Sequence, residues 1–206
     1  MNTGLNHACG SGTHPHAQRG ADMYETPPVA VEALLRAEKL PHVVWEPAAG
    51  RGAIVNVLRA AGHSVIASDL IDYGVAAIQG GRDFLKETAA PAGCDTIITN
   101  PPFRIAQDFV EHALDLVPSV ILLLRLAFLE SERRSGILDG GKLARVHVFK
   151  NRLPMMHRSG WQGPRASSAI AFGWFIWSRA HSGPATIDRV SWAASRVGEA
   201  MKGAEE

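Results

Sequence analysis

Apolar positions along this chain follow two alternating rhythms. Short apolar runs occur in HVVWEP, SVIASDL, CDTIITN and SVILLLRL, and the last is continuous, as expected for a strand buried on both faces. Between them, apolar residues recur at helical spacing. Val31, Leu34 and Leu35 follow Pro27 and Pro28, a pair suited to a helix start. GAIVNVLRAAGH reads as a helix ending near Gly62, and RIAQDFVEHALDLV as another. Late in the chain, ARVHVF and SSAIAFGWFIW succeed each other with no clear helix between them, which predicts a closing antiparallel pair. Strands alternating with helices predict an α/β fold: a doubly wound, seven-stranded, mostly parallel sheet with one antiparallel strand. Six of those strands can be located by pattern.

The polar ends set the boundaries. Residues 1–21 are small, polar and rich in Gly and His, which predicts a disordered tail. One domain is expected over residues 22–195, followed by a short C-terminal tail over 196–206. A chain of 206 residues holds one sizeable core and leaves no room for a large separate recognition domain. His7, Cys9, His14 and His16 match no zinc spacing, so no metal is expected. Cys9 and Cys94 make no disulfide framework, and Cys94, Trp174 and Trp177 read as core residues. There is no apolar run of 18 residues and no secretory leader pattern, so the expectation is a cytoplasmic protein without membrane contact.

Charge adds a local feature to a net balance of +1. Residues 1–124 carry 8 Lys/Arg against 13 Asp/Glu, whereas residues 125–165 carry 9 against 3. A basic segment inside a near-neutral chain is a candidate footprint for phosphate. Part of it is the long joining loop 150–168, with Lys150, Arg152, His157, Arg158, Trp161 and Arg165. Basic side chains interleaved with an aromatic suit a nucleic-acid backbone with some stacking. Phe128 to Arg134 reads as the start of a surface helix or lid.

Candidate chemistry lies at the strand ends. EPAAGRG, Glu46 to Gly52, joins a strand to a helix, and its glycines let the backbone approach a ligand. Val55 stands where a dinucleotide fingerprint would place its third glycine. A carboxylate at Glu46 suits a ligand with a positive amino group better than a pyrophosphate. Asp69, about twenty residues on, occupies the usual place of an acid that holds ribose hydroxyls. Asp83 and Phe84 are placed to accept from an adenine amine and to cover its ring. NPPF, Asn100 to Phe103, closes another strand. Pro101 and Pro102 cannot continue a ladder, so the peptide is forced into a rigid loop. That loop offers the Asn100 amide oxygen and the Pro101 carbonyl as two acceptors for an amine bearing two hydrogens. Phe103 adds a flat apolar face.

Taken in order, DMYETPP, EPAAGRG, SDL, RDF and NPPF resemble the class I methyltransferases of the amino-methylating type, above all bacterial and phage DNA adenine-N6 methyltransferases. The resemblance covers about residues 22–192. KNRLPMMHR and GWFIW are similar to segments of small phage or prophage members. It implies a single Rossmann-like class I methyltransferase domain with S-adenosyl-L-methionine as cofactor and DNA as partner. Tyr24, Thr26 and Pro27 would lie near the cofactor's carboxylate. Glu46, Pro47, Ala48, Gly50 and Gly52 would line its methionine part, Asp69 its ribose, and Asp83 with Phe84 its adenine. Asn100, Pro101, Pro102 and Phe103 would form the catalytic loop, with Asn100 also beside the cofactor and Phe103 stacked on a target base flipped out of its duplex. RNA adenine and protein glutamine methyltransferases use a similar loop. Glutamine enzymes usually carry tyrosine at the position of Phe103, and DNA against RNA is left open. A SAM-binding protein with a degenerate site is the remaining alternative.

Overall fold

A computed structural model describes residues 25–154 and 170–193. The expected tails, 1–21 and 196–206, and most of loop 150–168 lie outside the described residues. In chain order the elements are α1 (Pro28–Ala37), β1 (Val43–Glu46), α2 (Ala53–Ala60), β2 (Ser64–Ala67), β3 (Thr96–Thr99), α3 (Ala106–Leu116), β4 (Ser119–Arg125), α4 (Ser135–Leu138), β5 (Leu143–Phe149), β6 (Phe172–Ser178) and β7 (Thr186–Val190). They build one seven-stranded sheet in the order β2-β1-β3-β4-β6-β5-β7. β6 runs antiparallel to both neighbours, β4 and β5, while every other pairing is parallel. The expected sheet and its one reversed strand are therefore present.

Each helix forms for a local reason. Pro28 opens α1 at a position whose N–H has no helical partner to lose. Ala30, Val31, Ala33 and Leu34 then share its buried face. α2 buries Ile54, Val55 and Leu58, and its chain reverses through Gly62 at a φ of 91°. Together α1 and α2 cover one face of the sheet, against Val44, Ile98, Leu123 and Trp174. α3 covers the other with Phe109, Val110 and Ala113, against Ile97, Leu122, Phe175 and Trp177. β6 serves both layers because alternate side chains point to opposite faces. The indole N–H of Trp174 donates to the Ala30 carbonyl of α1 at 2.8 Å, and that of Trp177 to the Ile137 carbonyl of α4 at 2.8 Å. Buried indoles need such acceptors.

Two segments differ from the sequence expectation. Where Phe128 to Arg134 was expected to start a surface helix or lid, Leu126–Leu129 and Glu132–Arg134 are tight 3-10 turns that lead into the four-residue α4. β7 is a strand that the apolar pattern does not mark, because it pairs in parallel at the sheet edge and its residues are largely exposed. A polar fastener holds this side of the molecule. Glu38, just past α1, accepts from Arg145 at 2.6 and 2.9 Å and lies 2.7 Å from Nε2 of the buried His147. Those bonds outweigh the effect of burial and hold the Glu38 carboxyl below the usual range. No helix among the described residues is long and apolar enough to cross a membrane.

Candidate active site

Four strand ends meet along the carboxyl edge of the parallel half-sheet, where open α/β sheets bind ligands. Following the sheet order, β2 leads to Asp69, β1 ends on Glu46, β3 leads to Asn100 and β4 ends on Arg125. The first three line one cleft together with Thr26, Ala48, Gly50, Pro101, Pro102 and Phe103. The cleft encloses about 190 Å³. Small-molecule sites are commonly ~300–1,000 Å³, so a nucleoside-sized ligand would extend onto its rim.

The glycine loop forms the floor. Gly50 and Gly52 adopt φ of 55° and 88°, a region that favours glycine. Gly52 donates to the Ala49 carbonyl at 2.8 Å, which closes the turn before α2. Asp69 clamps it from the neighbouring strand: Oδ2 accepts from the Gly50 N–H at 2.7 Å and Oδ1 from the Ile71 N–H at 2.8 Å. Each carboxylate oxygen keeps a second lone pair for a ligand hydroxyl.

Glu46 is the electrostatic centre of the cleft. It is 2% exposed, and its Oε2 has no hydrogen-bond partner among the described residues. Burial holds its carboxyl well above the usual carboxylate range. The Val55 N–H opposes that shift, the Asp69 charge reinforces it, and Arg59 opposes it more weakly. A buried carboxyl with one oxygen unpartnered, beside a glycine loop, fits a ligand ammonium, which would supply both the missing bond and the opposite charge.

The acceptor loop sits across from Glu46. Asn100 Nδ2 donates to Thr26 Oγ1 at 3.1 Å, so the segment before α1 sets the amide plane and turns Oδ1 away from Thr26. Thr26 is itself buried. Pro101 is buried, and Pro102 starts a 3-10 turn over Phe103–Ile105 that feeds α3. Phe103 packs on the α1 side, its ring 5.7 Å from that of Phe172, and the Arg125 guanidinium lies 4.2 Å from its centroid.

Some candidate residues fall outside this cleft. Pro27, Pro47 and Gly52 stand behind its lining, buried in the backbone that shapes it. Phe84 is a core residue, 3% exposed, with its ring 5.3 Å from Trp45 and 4.7 Å from Phe109. Asp83 accepts from Leu85 N–H at 3.2 Å and pairs with Lys86. Lys150 and Arg152 rim a second hollow bounded by Phe149 and Phe172. Tyr24, His157, Arg158, Trp161 and Arg165 lie outside the described residues. The cleft also has a lip that the motif reading did not single out. The chain leaves β2, carries Leu70, Ile71 and Tyr73 around the mouth, and returns to pair at Gln79. Leu70 and Ile71 are 62% and 40% exposed, and Arg51 lies 5.4 Å from the centroid of the Tyr73 ring. Two apolar residues directly after a strand-end acid were the available signal.

Neither a protein-family model nor a curated protein sequence matches the chain. Solved structures do. A Pyrococcus horikoshii protein provisionally named an RNA methyltransferase aligns with a TM-score of 0.56 and 18% identity, over 81% of this chain and 91% of that one. A Listeria monocytogenes protein, provisionally named a class I S-adenosylmethionine-dependent methyltransferase, aligns at 0.54 and 12%, over 78% and 62%. The methyltransferase subunit of a type I restriction-modification system from Streptococcus thermophilus aligns at 0.51 and 15%, over 78% and 47%. The chain thus spans nearly all of the first and about half of the third. The likeness is one of fold: this chain shares the Rossmann-like fold of these methyltransferase structures.

Proposed function

We propose that this protein is an S-adenosyl-L-methionine-dependent methyltransferase acting on the exocyclic amine of adenine in DNA. The observation that carries the reading is the convergence on one cleft of the buried Glu46 carboxyl with its unpartnered Oε2, the Asp69-clamped glycine loop and the Asn100–Phe103 acceptor loop. Glu46 would hold the cofactor's ammonium and Asp69 its ribose hydroxyls. Leu70 and Ile71 give its adenine an apolar surface at the lip, a role the sequence reading assigned to Asp83 and Phe84. When bound, the cofactor supplies an electrophilic methyl group. Asn100 Oδ1 and the Pro101 carbonyl accept the two hydrogens of the target amine and so aim the nitrogen lone pair. As that nitrogen becomes positive, the same oxygens stabilise it, which is catalysis by positioning and preorganised dipoles. Phe103 supports the flat target base. Lys150, Arg152 and the rest of loop 150–168 would hold the polynucleotide backbone.

A second reading, an RNA adenine target, draws on the Pyrococcus horikoshii neighbour and its near-complete overlap with this chain. The two readings share one test of the site. Asn100→Ala should abolish most turnover while leaving cofactor affinity within about twofold, because a group used only on the target affects the chemical step. Calorimetry and a methyl-transfer assay on DNA and RNA read the two quantities separately. Normal turnover in Asn100→Ala would refute the assigned chemistry.

A further inference from the structure

Arg125 is the one strand-end residue of the row along the sheet edge that the cofactor and the acceptor loop do not use. It ends β4, the neighbour of β3. Thr99 pairs with Leu122, so Arg125 lies two residues further along its strand than the position level with Asn100. At ~3.3 Å per residue that sets it about 7 Å past the Asn100 level, alongside the end of the acceptor loop. Its guanidinium lies 4.2 Å from the Phe103 centroid, in contact with the ring. Its Nε is buried, with no hydrogen-bond partner among the described residues. Arg82 pairs with Glu87 at 2.7 Å and Arg145 with Glu38 at 2.6 Å, and Arg134, which also lies on a ring, donates to the Phe128 carbonyl at 2.9 Å. Arg125 is turned onto the Phe103 ring.

We propose that Arg125 binds a phosphodiester group of the substrate and marks that substrate as a polynucleotide rather than a protein amide. The inference rests on the proposed use of Phe103 as the platform for the target. A planar cation on that ring fills the place a planar base would take. A base that enters must displace or share the ring with the guanidinium, whose donors then need new acceptors, since a buried unpaired donor is unfavourable. A nucleotide brings its own: the phosphates joined to its sugar are anionic and suit the guanidinium fork. A glutamine side chain brings a neutral amide and no anion, and would strand the charge. Arg125 is therefore a substrate-binding residue. It complements Lys150 and Arg152, which line a hollow together with Phe172, the ring neighbour of Phe103.

The test uses the full chain with fluorescein-labelled, adenine-containing single-stranded DNA and RNA oligonucleotides, followed by anisotropy between 50 and 200 mM salt. Arg125→Ala should weaken binding about tenfold, the loss of one charge-assisted contact. The slope of log affinity against log salt should become shallower by about 0.7, the value for one phosphate on a single strand. Arg125→Lys should keep the parent slope, and Arg125→Met should behave like Arg125→Ala. The arm with the tighter parent binding identifies DNA or RNA as the source of the phosphate. An unchanged slope in Arg125→Ala, or rescue by Met equal to that by Lys, would overturn the proposal and leave Arg125 as packing for Phe103. Should Arg125→Ala not fold, the Lys and Met pair decides alone. Parent protein that binds with the expected slope but transfers no methyl group would refute the methyltransferase reading and not the phosphate contact. Transfer to a glutamine-bearing peptide, with no oligonucleotide binding, would overturn the inference while leaving methyl transfer intact.

Discussion

At the scale of the residue, Glu46 couples stability to binding. Its carboxyl is buried, with Oε2 unpartnered among the described residues, and held well above the usual carboxylate range by desolvation first, with the Asp69 charge adding to the shift. The folded state therefore keeps a proton at pH values where the unfolded chain has released it. The sign follows from linkage: Glu46 makes stability fall as pH rises from the usual carboxylate range toward its own raised value. Glu46→Gln removes the ionisation and keeps the shape. It should raise the melting temperature of the ligand-free protein at neutral pH. It should also weaken S-adenosylmethionine binding by about 1.5–3 kcal/mol, the worth of a hydrogen bond to a charged group. Thermal unfolding with and without the cofactor reads both effects, and a variant unchanged in both would remove Glu46 from the site. The candidate role of Glu46 was legible in the sequence because acid and glycines share one strand-to-helix turn. The core placement of Phe84 was not. An aromatic two residues after an arginine has no period to declare its partners, and its rings of contact, Trp45 and Phe109, are distant in sequence.

At the scale of the element, the turn between β1 and α2 must be both tight and open to a ligand. Gly52 has φ of 88°, and a Cβ there would stand 3.2 Å from Ile78 Cδ1 in the segment that returns to β2. Gly62 has a similar φ of 91° but faces open space. Both changes to alanine should lose about 1–2 kcal/mol of stability to left-handed backbone strain. Gly52→Ala should additionally weaken cofactor binding, because it presses on the loop that Asp69 clamps, whereas Gly62→Ala should not. Denaturant unfolding and calorimetry on the pair separate strain from site damage; equal cofactor affinity in both variants would count against the glycine loop as floor. Helix and strand identities along this half-sheet could be read from apolar rhythm, since these elements are buried on faces that repeat. β7 could not. Thr186–Val190 is stabilised by its ladder to β5 and exposes most of its side chains, so no hydrophobic alternation marks it. Over Phe128 to Arg134, where the start of a surface helix or lid was expected, Arg134 turns back to donate to the Phe128 carbonyl at 2.9 Å and lies 4.3 Å from its ring centroid, a tertiary contact that favours tight turns ahead of the short α4.

At the scale of the whole molecule, the sheet order converts a dispersed set of short motifs into a row. Asp69, Glu46, Asn100 and Arg125 are scattered over 80 positions of sequence, yet they occupy successive strand ends β2, β1, β3 and β4. The row passes from groups suited to a cofactor, through acceptors suited to an amine, to a cation suited to phosphate. The basic excess over residues 125–165 lies on the same side of that progression in the chain. The order of the motifs was visible in the sequence; the spatial adjacency of β4 to β3, and hence the part assigned to Arg125, required the fold. The most direct measurement of the central claim is methyl transfer itself. Unmethylated DNA is incubated with the protein and S-adenosylmethionine labelled in its methyl group, then digested to nucleosides and separated. The expected result is label in N6-methyladenine, absent when Asn100→Ala replaces the parent. Label in another nucleoside, or equal label with the variant, would contradict the assignment of the Asn100–Phe103 loop to the adenine amine.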